Sequence, residues 1–183
     1  VVAYRTAQQT LPAYRHRFSP KKFTQHQLFA CLVLKTFMKT DYRGIVALLQ
    51  DCSDLRKAIG LTQVPHYTTL QKSAAILLRL AISNQLLNTT VRTLKKKPYI
   101  SLAAIDSTGL EAGHISRYFV RRKRAKELKT YENTYYRRWP KLSIVCDCHN
   151  HLILSAINTR GPSVDVNQFQ KTLRPAVEKY NIN

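Results

Sequence analysis

Residues 99–109 read YISLAAIDSTG, and this stretch decides the fold of the second half of the chain. It follows Pro98, which ends a long helical pattern, and it carries a nearly unbroken apolar run from Ile100 to Ile105. Such a run is too short for a typical helix and predicts a strand that is buried on both faces. Asp106 stands at the far end of the run, where a carboxylate is costly to desolvate unless it has a partner.

The charge balance indicates a polyanionic partner. The 183 residues include 30 Lys and Arg against 10 Asp and Glu, which gives a formal net charge of +20. When such a chain binds phosphates, counterions are released, and this release stabilises the complex. The charge therefore favours nucleic acid over a membrane surface as the partner. RNA-binding proteins share this signature, and a solvated basic surface is the alternative, so the charge alone does not select DNA.

The composition also bears on location and on the ends of the chain. No apolar run approaches the roughly 20 residues of a membrane span, and no secretory signal opens the sequence. Four cysteines without a disulfide pattern favour a reducing cytosol. The first residue is Val1 and the sole methionine is Met38, so we expect the natural start to lie outside this sequence.

The small number of acidic residues restricts where an acidic active site can form. Asp106 has two interpretations: a metal ligand of a DNA-cutting site, or a cap on the turn after the strand through Thr108 or Gly109. Any further carboxylate of such a site must come from the remaining acids, which are Asp41, Asp51, Asp54, Glu111, Glu127, Glu132, Asp147, Asp165 and Glu178.

We predict an α+β chain in three parts: a basic, irregular N-terminal arm over 1–22, a helical domain over 23–97, and a sheet-containing domain over 98–183. In the helical domain, Thr24 and Gln27 fit a capping box for a helix that runs to about Lys39. Asp41 is placed to cap the next helix.

Capping residues also predict where the following helices begin. Ser53 is expected to cap a short third helix, and Thr68 with Gln71 fits a second capping box. From there a helical pattern continues to Lys97, with breaks expected at residues 83–84 or 88–89. Two short helices before one that opens near Tyr67 resemble a helix-turn-helix, although a bundle without DNA contacts fits equally well.

A basic segment follows the Asp106 strand and is interleaved with tyrosine, phenylalanine and tryptophan. This composition is typical of a nucleic-acid surface, and a solvated charged face is the alternative. The residues that we expect to contact DNA are Arg117, Arg121, Arg122, Lys123, Arg124, Lys126, Arg137, Arg138 and Lys141.

A β-hairpin is predicted next. Apolar residues alternate over 142–148, a turn falls at His149-Asn150, and residues 152–157 form the returning strand. Asp165 or Ser163 then caps a helix. Zinc binding by Cys146, Cys148, His149 and His151 is disfavoured. The spacing is not that of a structural zinc site, and alternate residues of a strand point to opposite faces.

Four segments together resemble one protein family. They read AIDSTGL at 104–110, RYFVRRKRAK at 117–126, RRWPKLSIVCD at 137–147 and HLILSAINTRGPSVDVNQF at 151–169. In their order and spacing they resemble DDE transposases of the IS4/IS5 type, the enzymes of bacterial and archaeal insertion sequences. The individual motifs are short, and the resemblance rests on their order and spacing. The helical stretches LFACLVLKTFMKTDYRGIVALL at 28–49 and VPHYTTL at 64–70 also resemble the N-terminal region of that family, so the resemblance covers most of the chain.

The resemblance implies an RNase H-like catalytic domain, of which this chain holds the first half. Asp106 would be the catalytic carboxylate on the first strand and would bind Mg²⁺ or Mn²⁺ together with an Asp on the fourth strand and a Glu on a later helix. The fourth strand is expected just past Asn183, so we expect a fragment or a decayed remnant that is inactive by itself. Asp165 corresponds to a recurrent family Asp that we interpret as a helix cap.

The family also implies partners and a location. The full-length enzyme would bind double-stranded DNA at transposon ends and at the target, would act as a homodimer, and would work in the cytoplasm at the nucleoid. Two alternatives remain. One is a non-catalytic DNA-binding protein that binds DNA through its helix-turn-helix, and the other is a basic RNA-binding protein.

Overall fold

The computed structural model describes residues 1–95, 99–110, 139–161 and 163–182. The chain divides into two units, Val1–Lys97 and Pro98–Asn183. Helices build the first unit, and the second combines a sheet with a helix, so the fold class is α+β. No helix in the described ranges combines the length and apolar character that a membrane crossing requires.

Helices of the first unit surround one apolar core. Ala7, Cys31, Ile45 and Leu70 are each 0% exposed within it. Burial raises the pKa of the Cys31 thiol to about 12, and Cys31 packs in this core as a small apolar residue. The helices are α1 Val2–Thr10, α2 Gln25–Phe37, α3 Tyr42–Asp51, α4 Ser53–Lys57, α5 Tyr67–Leu77 and α6 Leu80–Leu94.

The expectation of an irregular N-terminal arm is wrong over the residues of α1. This helix packs against α2 and α6, and its Ala7 is fully buried. Its small, apolar side chains face the core, and burial of that face stabilises a helix that carries no side-chain cap.

Two of the predicted caps are confirmed. The Thr24 Oγ1 accepts a hydrogen bond from the Gln27 amide at 3.2 Å, and the Thr24 amide donates to Gln27 Oε1 at 3.0 Å. The Gln27 side chain also donates to the Gly60 carbonyl at 2.7 Å, so the capping box ties α2 to the loop after α4. Asp41 Oδ1 accepts from the Gly44 amide at 2.6 Å and caps α3.

Two other predicted caps are wrong because each helix begins earlier than expected. Ser53 is the first residue of α4, and Cys52 precedes it without a side-chain cap. His66 caps α5, and its Nδ1 accepts from the Thr68 amide at 3.4 Å.

The break between α5 and α6 also differs from the prediction. It falls at Leu78 and Arg79, before either expected position, and Arg79 is extended with φ −66° and ψ 144°. The two helices pack on different partners, α5 on α2 and α3, and α6 on α1. The chain must therefore change direction between them, although no glycine or proline marks the point.

The second unit holds a three-stranded antiparallel sheet in the order β2-β3-β4. The predicted hairpin is confirmed, with a bulge between Val145 and Cys146. The buried face of its first strand consists of Ser143, Val145 and Asp147, and not of the apolar residues that alternate with them. The elements are β1 Tyr99–Ile100, β2 Ala103–Gly109, β3 Trp139–Asp147, β4 Ile153–Gly161, α7 Val166–Val177 and β5 Asn181–Ile182.

Strand β2 lies at one edge of this sheet and is not buried on both faces, as its apolar run had predicted. Ile105 and Ser107 are half-buried, whereas Ala104, Asp106 and Thr108 are exposed. The reason is that α7 packs on β2, β3 and β4 from one side, and within the described residues nothing covers the other face of β2.

A parallel strand follows α7. β5 pairs with β1 in parallel, with Tyr99 opposite Asn181 and Ile100 opposite Ile182. Ile100 is 1% exposed and lies in the buried interior of the unit, whereas Tyr99 and Asn181 are exposed. The fourth strand that the resemblance implies past Asn183 stays a prediction; the strand that follows α7 among the described residues is β5.

We expect Thr24→Ala to lower the free energy of unfolding of the helical unit by about 1 kcal/mol, because it removes one side of the capping box. Urea denaturation followed by circular dichroism measures this. Thr62→Ala is the matched control, because Thr62 is exposed in a loop and its loss should change stability by less than about 0.5 kcal/mol. Equal effects of the two substitutions would contradict the energetic role of the cap.

Candidate functional site

Asp106 lies in the middle of β2, with three more strand residues after it. The ladder to β3 continues as far as the pair Gly109 and Lys141, so no turn follows Asp106 and the turn-cap interpretation is wrong. The carboxylate is exposed, which removes the desolvation cost expected for it. Its Oδ1 accepts a hydrogen bond from the Ser107 amide at 2.7 Å.

The hydrogen bonds of the ladder locate this carboxylate at the open edge of β2. The Leu110 amide donates to the Pro140 carbonyl at 2.8 Å, and the Cys148 amide donates to the Leu102 carbonyl at 3.1 Å. The backbone amides and carbonyls of the even-numbered residues in this segment therefore form hydrogen bonds with β3. The amides of the odd-numbered residues point away from β3, toward the open edge of β2. The Ser107 amide faces the open edge and holds Asp106 Oδ1 there.

Asp165, at the N-terminal end of α7, contacts the same strand. Ser107 Oγ donates to Asp165 Oδ1 at 2.6 Å, and Lys141 Nζ donates to the same oxygen. The capping role expected for Asp165 is wrong, because its side chain makes no cap hydrogen bond to α7. The ion pair with Lys141 and the bond from Ser107 direct the carboxylate toward the sheet instead.

These contacts set the protonation of Asp165. The hydrogen bond from Lys141, followed by that from Ser107, holds the pKa of the Asp165 carboxyl below its usual range. Lys141 Nζ also donates to the Ser163 carbonyl at 2.7 Å, and its side chain is only 11% exposed. The expected contact of Lys141 with DNA stays a prediction, and it would require this ammonium to leave Asp165.

A cavity of about 280 Å³ lies between β2, β3 and the start of α7. Ser143, the residue opposite Ser107 in the ladder, lines it and is 3% exposed. Among the described residues, Ser143 Oγ has no hydrogen-bond partner. The cavity is lined by Ile105, Asp106, Ser107, Ser143, Asp165, Val166, Gln168, Phe169 and Thr172.

The described part of the chain contains no group of three or more His, Cys, Asp and Glu side chains that could hold a metal ion. Asp106 fits one position of such a group, because it offers a hard, exposed oxygen ligand. The four cysteines are free thiols, and burial, then the charges of Cys148 and Asp147, raises the pKa of Cys146.

Most of the predicted DNA contacts cannot be placed. Eight of them lie outside the described residues, and these are Arg117, Arg121, Arg122, Lys123, Arg124, Lys126, Arg137 and Arg138. In the helical unit, α3, α4 and α5 follow in the order expected for the helix-turn-helix. Arg43 lies 4.8 Å from the ring centre of Tyr67 at the start of α5.

Sequence reasoning missed the cluster of Ser107, Lys141 and Asp165. Ser107 and Asp165 are 58 residues apart, and no local pattern connects them. Comparisons of the chain with protein-family models, curated proteins and solved structures found no match.

The lowered pKa of Asp165 predicts how stability changes with pH. The carboxyl group of an unfolded Asp has a pKa of about 3.9. The contribution of Asp165 to folding stability is therefore complete above that pH, and it is lost as the pH falls through the lower pKa of the folded state. The stability difference between the wild type and Asp165→Asn should be constant from pH 5 to 7 and should shrink below about pH 4.

Urea unfolding at a series of pH values measures this difference. Asp54→Asn is the control, because the pair of Asp54 with Lys57 at 3.7 Å is exposed and contributes little. A difference for Asp165→Asn that does not change from pH 6 to pH 3 would contradict the assigned interaction.

Proposed function

We propose that this chain belongs to a metal-dependent DNA transposase of the DDE type, in which Asp106 is one of the catalytic carboxylates. The observation that carries the proposal is the position of Asp106 on the first strand of an antiparallel meander, followed by a helix and by a strand parallel to the first segment. This order of elements supports an RNase H-like domain, and the four family-like segments noted in the sequence support the same assignment.

The location of Asp106 suits this role. β5 runs parallel to β1, which immediately precedes β2, and the edge of β2 away from β3 is unpaired among the described residues. A strand continued from Ile182 in the same direction would run beside that open edge. It would bring a second carboxylate close to Asp106, whose Oδ1 is held at the edge by Ser107.

Paired divalent metal ions bound by such carboxylates activate water and stabilise the leaving oxygen in phosphodiester cleavage. Asp106 would supply an exposed oxygen ligand, and the Ser107 amide would orient it. The formal net charge of +20 supports DNA as the substrate. The basic segment over 117–141, which follows β2 in the sequence, would contact the phosphates of the DNA.

We expect Asp106→Asn to abolish cutting at the ends of the element. The test uses protein expressed from the complete reading frame, Mg²⁺ or Mn²⁺, and duplex DNA that flanks the gene. Asparagine keeps the shape and the acceptor for the Ser107 amide, but it removes the charge that binds metal. Loss of several kcal/mol of metal stabilisation predicts a rate at least roughly 100-fold lower.

Asp54→Asn is the charge-matched control for the cleavage assay, because Asp54 is an exposed residue of the helical unit. It should cut at the wild-type rate. Equal cutting by Asp106→Asn and by the wild type would refute the catalytic assignment. Specific binding without any metal-dependent cutting would identify a non-catalytic DNA-binding protein instead.

We expect the basic segment to contribute directly to DNA affinity. The double variant Arg121→Ala with Arg122→Ala should reduce the slope of log affinity against log salt by about 0.9 for each lost phosphate contact. Fluorescence anisotropy with duplex DNA at several salt concentrations measures this slope. Competition with duplex RNA in the same assay tests the RNA-binding alternative.

The matched control removes two positive charges elsewhere, with Lys57→Ala and Lys171→Ala. Both lysines are exposed, and neither belongs to the predicted DNA surface. The slope should stay at the wild-type value. If the two double variants lower the slope equally, binding depends on net charge and the segment has no special role.

A further inference from the structure

We propose that Asp165 is a positioning residue for Asp106 and acts through Ser107. This inference rests on the proposed function, in which Asp106 binds the catalytic metal. It gives Asp165 a role that differs from helix capping and from metal binding.

Ser107 connects the two carboxylates directly. Its backbone amide donates to Asp106 Oδ1 at 2.7 Å, and its hydroxyl donates to Asp165 Oδ1 at 2.6 Å. The amide points to the open edge of β2, and the side chain points to the face covered by α7. A constraint on the Ser107 side chain therefore also constrains the donor that orients Asp106.

Among the described residues, the hydrogen bond from the Ser107 amide is what holds the Asp106 carboxylate. It is exposed on the face of β2 that α7 does not cover, and its strand lies at the sheet edge. Edge strands without a second partner have few contacts to restrict them. The bond from Ser107 to Asp165 attaches this part of the edge to the start of α7.

Asp165 is itself firmly held. Lys141 donates both to its carboxylate and to the Ser163 carbonyl, so the ammonium joins β3 to the segment before α7. The Lys141 side chain is 11% exposed and the Asp165 side chain 66%, so the ammonium end of the pair is covered and the carboxylate end meets solvent. The positive charge also offsets the negative charge that Asp165 would otherwise add near a carboxylate required for metal binding.

The same cavity contains a matched comparison. Ser143 lies opposite Ser107 in the ladder and lines the same cavity. Its hydroxyl has no hydrogen-bond partner among the described residues. Ser143→Ala therefore removes a hydroxyl group from the same cavity, as Ser107→Ala does. It leaves the hydrogen bonds that connect Asp106, Ser107 and Asp165 in place.

The test measures the side-chain rotamer of Asp106 in the metal-free, isotope-labelled 183-residue chain. Three-bond couplings from the backbone nitrogen and carbonyl carbon to Cγ report the χ1 angle. We expect one rotamer in the wild type and averaged couplings in Ser107→Ala and Asp165→Ala. Ser107→Thr, which keeps the hydroxyl, and Ser143→Ala should retain the wild-type couplings.

The register of β2 and β3 must be checked in each variant, through the cross-strand contacts of Asp106 with Ile144. A retained register with averaged couplings separates positioning from a general loss of structure. Wild-type couplings in both Ser107→Ala and Asp165→Ala, or averaged couplings already in the wild type, would overturn the proposal. Ser107→Thr decides the case if Ser107→Ala fails to fold, because rescue requires the hydroxyl.

A titration with Mn²⁺ tests the proposed function separately, on protein expressed from the complete reading frame, because the other two carboxylates that the resemblance implies are not in this sequence. Paramagnetic broadening of the Ser107 and Thr108 amide signals should depend on Asp106 and disappear in Asp106→Asn. Ser107→Ala should weaken the apparent affinity about 10-fold, the usual effect of losing a residue that supports a metal ligand. Rotamer averaging in the variants without any Mn²⁺ effect in the wild type would uphold the positioning role and contradict the metal site.

Discussion

The pairing of β2 with β3 is the interaction on which the candidate site depends. Its register places Ser107 opposite Ser143 and Asp106 opposite Ile144. Side chains alternate between the two faces of a strand, so this register directs Ser107 toward α7 and Asp106 away from it. A slip of one residue would exchange these faces and would bury the carboxylate under the helix. The bulge after Val145 lies beyond this region, nearer the hairpin turn.

The ion pair of Lys141 and Asp165 links the helix to that ladder. A lysine in a strand usually extends into solvent, but here the side chain is largely covered and its ammonium is shared between Asp165 and the Ser163 carbonyl. The pair does more than a surface salt bridge, because it orients Asp165 toward Ser107. In a chain with three times as many basic as acidic residues, this lysine makes its hydrogen bonds within the second unit.

Local patterns were sufficient to predict some features and not others. Thr24 and Asp41 were identified as caps because a cap depends on three or four neighbouring residues. The break at Arg79 was missed because it is set by the different partners of α5 and α6. The apolar run over 100–105 predicted a strand, but it did not show that α7 would cover one face only. The link from Ser107 to Asp165 joins residues distant in sequence, so no spacing rule contains it.

The carboxylates that the structure describes differ in what they do for the fold. Asp41 caps α3, and Asp165 is paired with Lys141. Asp147 accepts hydrogen bonds from the His149 amide and the Asn150 side chain, which stabilises the hairpin turn and accounts for its burial. Asp106 differs from these: it lies in mid-strand, where aspartate is unfavourable, and within the described ranges its oxygen accepts a hydrogen bond from a neighbouring amide and caps no turn or helix. A carboxylate that lowers strand stability and stabilises no turn or helix of the described chain fits a function at the exposed edge, and this is the physical basis for proposing Asp106 as a catalytic carboxylate.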